Sequence, residues 1–233
     1  MPQSIEIPVE KYIPTCPYIF VFFSYLLGED HVTGLFKDII DGFDFFVQEL
    51  IKNLADHIYY EVETRSKLYK DIKWFSYNRV VELDPCAESL PMFQSLASQA
   101  DFVDKRLINK LSSQIITQVC ERMSDFYIHE IVLVNQFSPQ GCHQVQIDIE
   151  KGMNAIFSQH VLHDDVTLDA YFKLKDVISI LVMKQANALL LMESLNDNAK
   201  QNVNDKDILM DVGLTYLDKE QTLKIIARRV DMK

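Results

Sequence analysis

His160-x-x-His163, followed by Asp164 and Asp165, is the best candidate for metal chemistry in this 233-residue sequence. Two imidazoles at i, i+3 near a helix end are able to share a metal ion. A hydrolytic site would also need a third ligand in register and a general base. The sequence offers neither, so exposed polar residues at a helix end are the simpler expectation. His129-Glu130 opens like the helical zinc-protease pattern, but position 133 is Leu where the second histidine belongs. Cys142-His143 are adjacent, and neighbours on a helix point about 100° apart, which does not make a nucleophile pair. There is no G-x-S-x-G elbow and no phosphate-cradling glycine loop. Aromatic residues alternate with Lys67, Lys70 and Lys73 around Tyr69 and Trp74. That composition suits a single-strand nucleic-acid platform. The simpler expectation is aromatic packing at a helix C-terminus, where lysines also suit the dipole. The sequence thus leads to no catalytic residue, no cofactor and no metal ligand set.

The elements that must position these residues are helical. Only six glycines occur, strand-like alternation is almost absent, and apolar residues recur at helical spacing, so the chain reads as all-α. Phe36, Ile40, Phe43, Val47, Leu50 and Leu54 fall 4,3,4,3,4 apart, a coiled-coil-like seam on a helix expected from Thr33 to Trp74, and Ile58 and Val62 continue the stripe on a slightly rotated line. Residues 76–91 punctuate the chain through Asp84-Pro85 and Leu90-Pro91. A second long helix is expected to run on to Gln136, with Val103, Leu107, Leu111, Ile115 and Val119 as the row that pairs with the first seam. Leu111 is the expected core position. Ser138-Pro139 starts a third helix, reaching about Val161. A fourth carries a heptad pattern from Tyr171 to Leu195, interrupted only at Gln185. Residues 196–206 read as a polar linker. A short helix at 207–212 follows, and Asp218 with Gln221 resembles a capping box that opens a last helix through Val230.

Hydrophobic residues make up 48% and charged residues 24%, ordinary for a globular chain long enough to bury a core without staples. The formal net charge is -11. Basic residues are scattered, which argues against nucleic acid and against adsorption to anionic lipid. The acidic balance favours a basic protein partner. Cys16, Cys86, Cys120 and Cys142 form no C-x-x-C pair and are expected to be buried, reduced thiols. The apolar run Tyr18–Leu27 is too short to span a bilayer, and its flanks do not suit a signal peptide, so it is expected to be a buried element.

Four ordered blocks go beyond composition. Glu130-Ile-Val-Leu-Val-Asn135-x-Phe137, then Gly141, Gln144 and Asp148, resembles a signature of the RINT/TIP family, with Cys142 and His143 where small residues are usual. Lys67-Leu-Tyr-Lys-Asp-Ile-Lys-Trp74-Phe-Ser resembles that family's K-L-Y-K-x-x-x-W-L-S. Asn187-Ala-Leu-Leu-Leu191 resembles its S-A-L-L-L. Asp211-Val-Gly213-Leu-Thr-Tyr-Leu217 resembles its N-E-V-G-I-Y-x-L. The resemblance covers roughly residues 35–230 and leaves residues 1–30 unassigned.

It implies an elongated antiparallel helical bundle spanning 31–233, like the C-terminal domains of exocyst-class and oligomeric-Golgi-class tethering subunits. The implied function is a non-catalytic tether for Golgi-to-endoplasmic-reticulum (ER) retrograde transport. The implied partners are ER SNARE proteins and tether subunits of the Zeste-white-ten/DSL class. The implied location is cytoplasmic, peripheral at the ER membrane through those partners and without a transmembrane span. In animals the family also carries a link to the Rad-fifty repair protein and the G2/M checkpoint. Glu130, Asn135, Phe137, Gly141, Gln144, Asp148, Trp74 and Gly213 are expected to be structural residues of the signature. Gly141 is expected near a backbone conformation that a β-carbon disfavours. Asn135, Gln144 and Asp148 are expected to satisfy turn backbone groups, with a partner-binding edge as the alternative role for this corner.

Overall fold

A computed structural model describes residues 29–79, 84–160, 169–197 and 204–232. Among these, ten α-helices occur in chain order: α1 Glu29–Thr64, α2 Lys67–Lys70, α3 Leu90–Arg106, α4 Asn109–Phe126, α5 Pro139–Ile147, α6 Asn154–His160, α7 Asp169–Val182, α8 Gln185–Asp197, α9 Asp205–Asp211 and α10 Lys219–Ile226. Two π-helical stretches, Tyr127–Val132 and Asp148–Met153, continue α4 and join α5 to α6. Short 3₁₀ turns stand at Trp74–Ser76 and Val230–Met232. No strand occurs among the described residues. The all-α class expected from periodicity is the class found.

The chain divides into two compact units, residues 1–50 and 51–233. In the first, the described part is the opening half of α1. Ile40, Phe43 and Leu50 of the expected seam are 46%, 67% and 45% exposed there. Phe36 lies outside the described side chains. In the second unit, α1 buries Ile51, Ala55, Ile58 and Val62, while Leu54 is exposed. These four are spaced 4,3,4, a helical stripe that takes in Ile58 and Val62 of the expected rotated line and adds Ile51 and Ala55, turned round the axis from Leu50 and Leu54. Leu54, the one seam position that lies in the second unit, is outside the buried stripe there.

The centre of the second unit is α7. Its Leu174, Val177, Ile178, Ile180 and Leu181 are buried, and α4, α5 and α10 pack against it. The expected second helix is two. Leu107 and Ile108 take extended backbone angles between α3 and α4, with no proline or glycine to mark the break. At that break Leu107 and Leu111 are only half-buried, and Ile115 and Ile116 supply the core instead. The fourth helix bends by 113° between α7 and α8, immediately before Gln185, where the heptad pattern fails. The first helix ends at Thr64, ten residues before Trp74. Pro91 stands in the first turn of α3, where a missing N–H costs nothing.

Two ends are closed as local chemistry dictates. Asp218 accepts from the Gln221 N–H at 2.8 Å, and Gln221 reaches back to the Asp218 N–H at 3.3 Å, completing the capping box. After α9, Gly213 takes φ +80°. The Leu214 N–H then reaches the Leu209 carbonyl at 2.8 Å and the Gly213 N–H reaches Met210 at 2.9 Å. This is a Schellman ending, with Leu209 and Leu214 both buried beneath it. No single described helix is long and apolar enough to cross a membrane. The Tyr18–Leu27 run and most of the 196–206 linker lie outside the described residues.

Candidate functional site

The first two sequence blocks meet in space. Trp74 is fully buried in its 3₁₀ turn. Its ring stacks on Tyr77 at 5.6 Å, lies 5.6 Å from Phe137 and meets Tyr69 edge-on at 5.3 Å. Backbone bonds tie the same residues: the Trp74 carbonyl accepts from the Ser138 N–H at 3.0 Å. The Ser138 hydroxyl caps α5 by accepting from the Gly141 N–H and donates to the Tyr77 carbonyl at 2.6 Å. Phe137 pairs on its other side with the C-terminal segment. Its N–H donates to the Arg228 carbonyl at 2.8 Å, and its carbonyl accepts from Val230 at 2.9 Å.

Gly141 is not in a left-handed conformation. It is the third residue of α5, and the only positive-φ glycine described is Gly213. What Gly141 provides is space: a β-carbon there would stand 2.9 Å from the Trp74 carbonyl oxygen and 3.3 Å from the Ser138 hydroxyl. Both neighbours are fixed by hydrogen bonds, so neither yields easily. Gly141→Ala is expected to lower stability by about 1–3 kcal/mol, the range for overpacking a tight contact. Equilibrium urea unfolding checks this, and an unchanged midpoint contradicts it.

Asp148 occupies the first position of the second π-helical stretch and is fully buried. One carboxylate oxygen accepts from the Cys86 N–H at 2.7 Å and from the Gln144 amide at 3.0 Å. The other accepts from the Tyr69 hydroxyl at 3.0 Å and from the Cys86 thiol at 3.3 Å. Burial pushes the Asp148 carboxyl above the ordinary carboxylate range, against the lowering pull of these hydrogen bonds. Burial likewise raises the Tyr69 and Tyr127 phenols, and it pushes the Cys86 thiol to about 12. A thiol so placed is no nucleophile. Cys120 and Cys142 are also buried and free, each raised to about 12. Cys16 lies outside the described residues.

The other signature residues take separate tasks. Gln144 donates to the Asp84 carbonyl at 3.3 Å as well as to Asp148, so the pair holds the 84–86 loop rather than the turn before α5. Asn135 donates to the Ile131 carbonyl at 2.9 Å, closing the end of the first π-helical stretch. Glu130 shares the Lys70 ammonium with Glu63. Burial alone would lower Lys70, and the two carboxylates outweigh it and hold it above its usual value. Gly213 lies in a different part of the unit. There the buried Asp176 carboxylate accepts from two successive N–H groups of its turn, Thr215 at 2.8 Å and Tyr216 at 2.7 Å.

His160 lies between the carboxylates of Asp101 and Asp104 on α3. The Ser112 hydroxyl donates to Asp104, not to the imidazole, so the three do not form a nucleophilic relay. His163, Asp164 and Asp165 lie outside the described residues. Among the described residues no cluster of three His, Cys, Asp or Glu side chains is arranged to hold a metal ion.

Two residues were not singled out by their spacing. Asp176 is one. Arg229 is the other: its guanidinium forks onto Asp231 at 2.8 and 3.1 Å and caps the end of α7 through the carbonyls of Ile180 and Met183. The Arg228-Arg229 pair was the only signal for it.

The fold and corner define an all-α bundle whose shared polar and aromatic residues serve mainly to join distant parts of the chain. The comparisons with known proteins then fix the family. The model of the RINT-1/TIP-1 family matches residues 25–229, and the chain belongs to that family. It is 23% identical over 206 residues to a "RINT1-like protein" of Drosophila melanogaster, covering 87% of this chain and 28% of that protein. Among solved structures, Tip20 in "Crystal structure of the SNARE Sec20 bound to Dsl1 complex subunit Tip20" is similar, with a TM-score of 0.68 and 17% identity. That likeness covers 91% of this chain and 39% of the other. The chain thus spans less than a third of the Drosophila relative and about two fifths of the solved chain.

Proposed function

We propose that residues 31–233 form the C-terminal helical bundle of a vesicle-tethering subunit, which binds an ER SNARE and works with partner tether subunits in Golgi-to-ER retrograde transport. The observation that carries this reading is the family match across residues 25–229, joined to the likeness with a Dsl1-complex subunit whose structure holds a bound SNARE. The site chemistry is consistent with a non-catalytic role. Asp148, Cys86, Tyr69 and Trp74 are buried and hydrogen-bonded or stacked within the corner, where they support shape and cannot reach a substrate. The same reading makes the protein cytoplasmic and peripheral, held at the ER membrane by its partners.

A pull-down of the cytosolic region of a Sec20-type SNARE by the purified chain tests this. Retention at low salt is expected. It should weaken as salt rises, because exposed charges are screened over about 8–10 Å near physiological ionic strength. Failure to retain the SNARE at low salt, by a chain whose circular dichroism shows it to be helical, would remove the SNARE-binding reading.

A further inference from the structure

The first half of α1, in the first unit, leaves its apolar side uncovered. Ile39, Ile40, Phe43, Phe46 and Leu50 are 55%, 46%, 67%, 58% and 45% exposed, and Val47 between them is half-buried. At 3.6 residues per turn these six fall within one sector roughly 120° wide. Lys37, Asp41, Asp44 and Glu49 all stand outside that sector. A single exposed apolar residue is ordinary, whereas a contiguous stripe of them marks a contact surface.

The chemistry of the stripe narrows what covers it. It carries no charge, so it selects an equally uncharged face. The rest of the segment carries Asp41, Asp44 and Glu49 against Lys37, a balance that an anionic membrane surface repels. Positions 40, 43, 47 and 50 repeat 3,4,3, the spacing at which one helix seats against another. Side-chain size and fractional exposure together give the five exposed residues roughly 500 Å² of open surface. Two copies laid stripe on stripe would remove about 1,000 Å² from water, which reaches the lower bound of a specific interface. A two-fold pair also needs no second surface, because each stripe is the complement of the other and no charge lies inside the seam.

We propose that this stripe pairs two copies of the chain in solution, α1 against α1, with Phe43 near the centre of the contact.

Sedimentation velocity of the whole chain tests this between about 1 and 100 µM, the affinity range suited to an interface of this modest size. Four forms are compared: wild type, Phe43→Glu, Leu50→Glu and Phe45→Glu. Phe45 is 69% exposed and stands on the opposite side of the same helix, so it controls for the added charge. All three sites are exposed positions of α1 and all receive the same side chain, so circular dichroism melts at the lowest concentration should agree among the variants. Wild type and Phe45→Glu should pass from one copy to two as concentration rises. Phe43→Glu and Leu50→Glu should need at least about tenfold more protein to pair, the size typical of losing a binding hot spot. A wild type that stays single at the highest concentration overturns the proposal and leaves the stripe to another segment of the chain or to a different protein. Undiminished pairing in both stripe variants overturns it too, since the contact then lies elsewhere. So does an equal loss in Phe45→Glu, which would make the effect one of charge alone.

Discussion

Trp74→Ala is expected to lower the stability of the bundle by about 3–5 kcal/mol, the range for truncating a buried large aromatic side chain. Trp74 is fully buried, and three rings (Tyr69, Tyr77 and Phe137) lie within 5.6 Å of it, centroid to centroid. Removing the indole opens a cavity that those rings cannot fill, because each is anchored elsewhere. Tyr69 is bonded to Asp148, Phe137 is pinned by the Arg228 and Val230 backbone, and the Tyr77 carbonyl accepts from Ser138. The buried indole Nε1 has no protein hydrogen-bond partner. The loss is therefore one of packing, and Trp74→Phe should be milder than Trp74→Ala. Phe75, the next residue, is 59% exposed, and Phe75→Ala should change stability by less than about 0.5 kcal/mol. For a chain of this size the alanine variant should melt about 6–20 °C lower. Differential scanning calorimetry of the three variants decides it. Equal midpoints for Trp74→Ala and Phe75→Ala would show that the aromatic cluster does not hold the corner.

Asp148→Ala should be nearly as damaging, for a different reason. It leaves the Tyr69 hydroxyl, the Cys86 N–H and the Gln144 amide without their common acceptor inside the protein. Gln144 keeps its bond to the Asp84 carbonyl, but the Tyr69 hydroxyl and the Cys86 N–H are orphaned at about 1–3 kcal/mol each, so the combined loss is expected at about 2–5 kcal/mol. Asp148→Asn keeps the shape and one acceptor oxygen and should be the milder change. It also exposes a pH dependence. The native Asp148 carboxyl is raised above its unfolded value by burial. The native state then binds more protons than the unfolded chain across the interval between the two values. Its contribution is fully present below the ordinary carboxylate range and is lost as pH rises through the raised native value. Asparagine has no such proton to lose. Wild type should therefore lose stability relative to Asp148→Asn as pH rises from that range, measured by urea unfolding at stepped pH. Parallel curves for the two proteins would contradict this, as would a wild type that gains on the variant.

Local sequence determined the helical class and some of the helix ends. Helical spacing of apolar residues, few glycines, Ser138-Pro139 before α5 and the Asp218/Gln221 box each act within a few residues. Their energetic consequences do not depend on what packs nearby. The interruption of the heptad at Gln185 belongs here too, since it coincides with the bend between α7 and α8. The ordered family blocks were also legible, because they are strings of residue types.

Tertiary structure decided which part of each apolar stripe is covered and which distant groups meet. The 4,3,4,3,4 seam on α1 correctly indicated a helix. Periodicity describes a helix without its neighbours, however: Ile58 and Val62 are buried as their line suggested, but Ile51 and Ala55 are buried where Leu50 and Leu54 were expected. The break at Leu107–Ile108 carries no proline or glycine signal. Asp148 reads in sequence as one more acidic residue among 34. It becomes the centre of the corner only because packing brings Tyr69, 79 positions earlier, and Cys86, 62 positions earlier, to its two oxygens. Arg229 caps α7 from 46 to 49 positions away in the same manner. Hydrogen bonds of that range are set by how whole helices pack, and no local pattern of residue types encodes them.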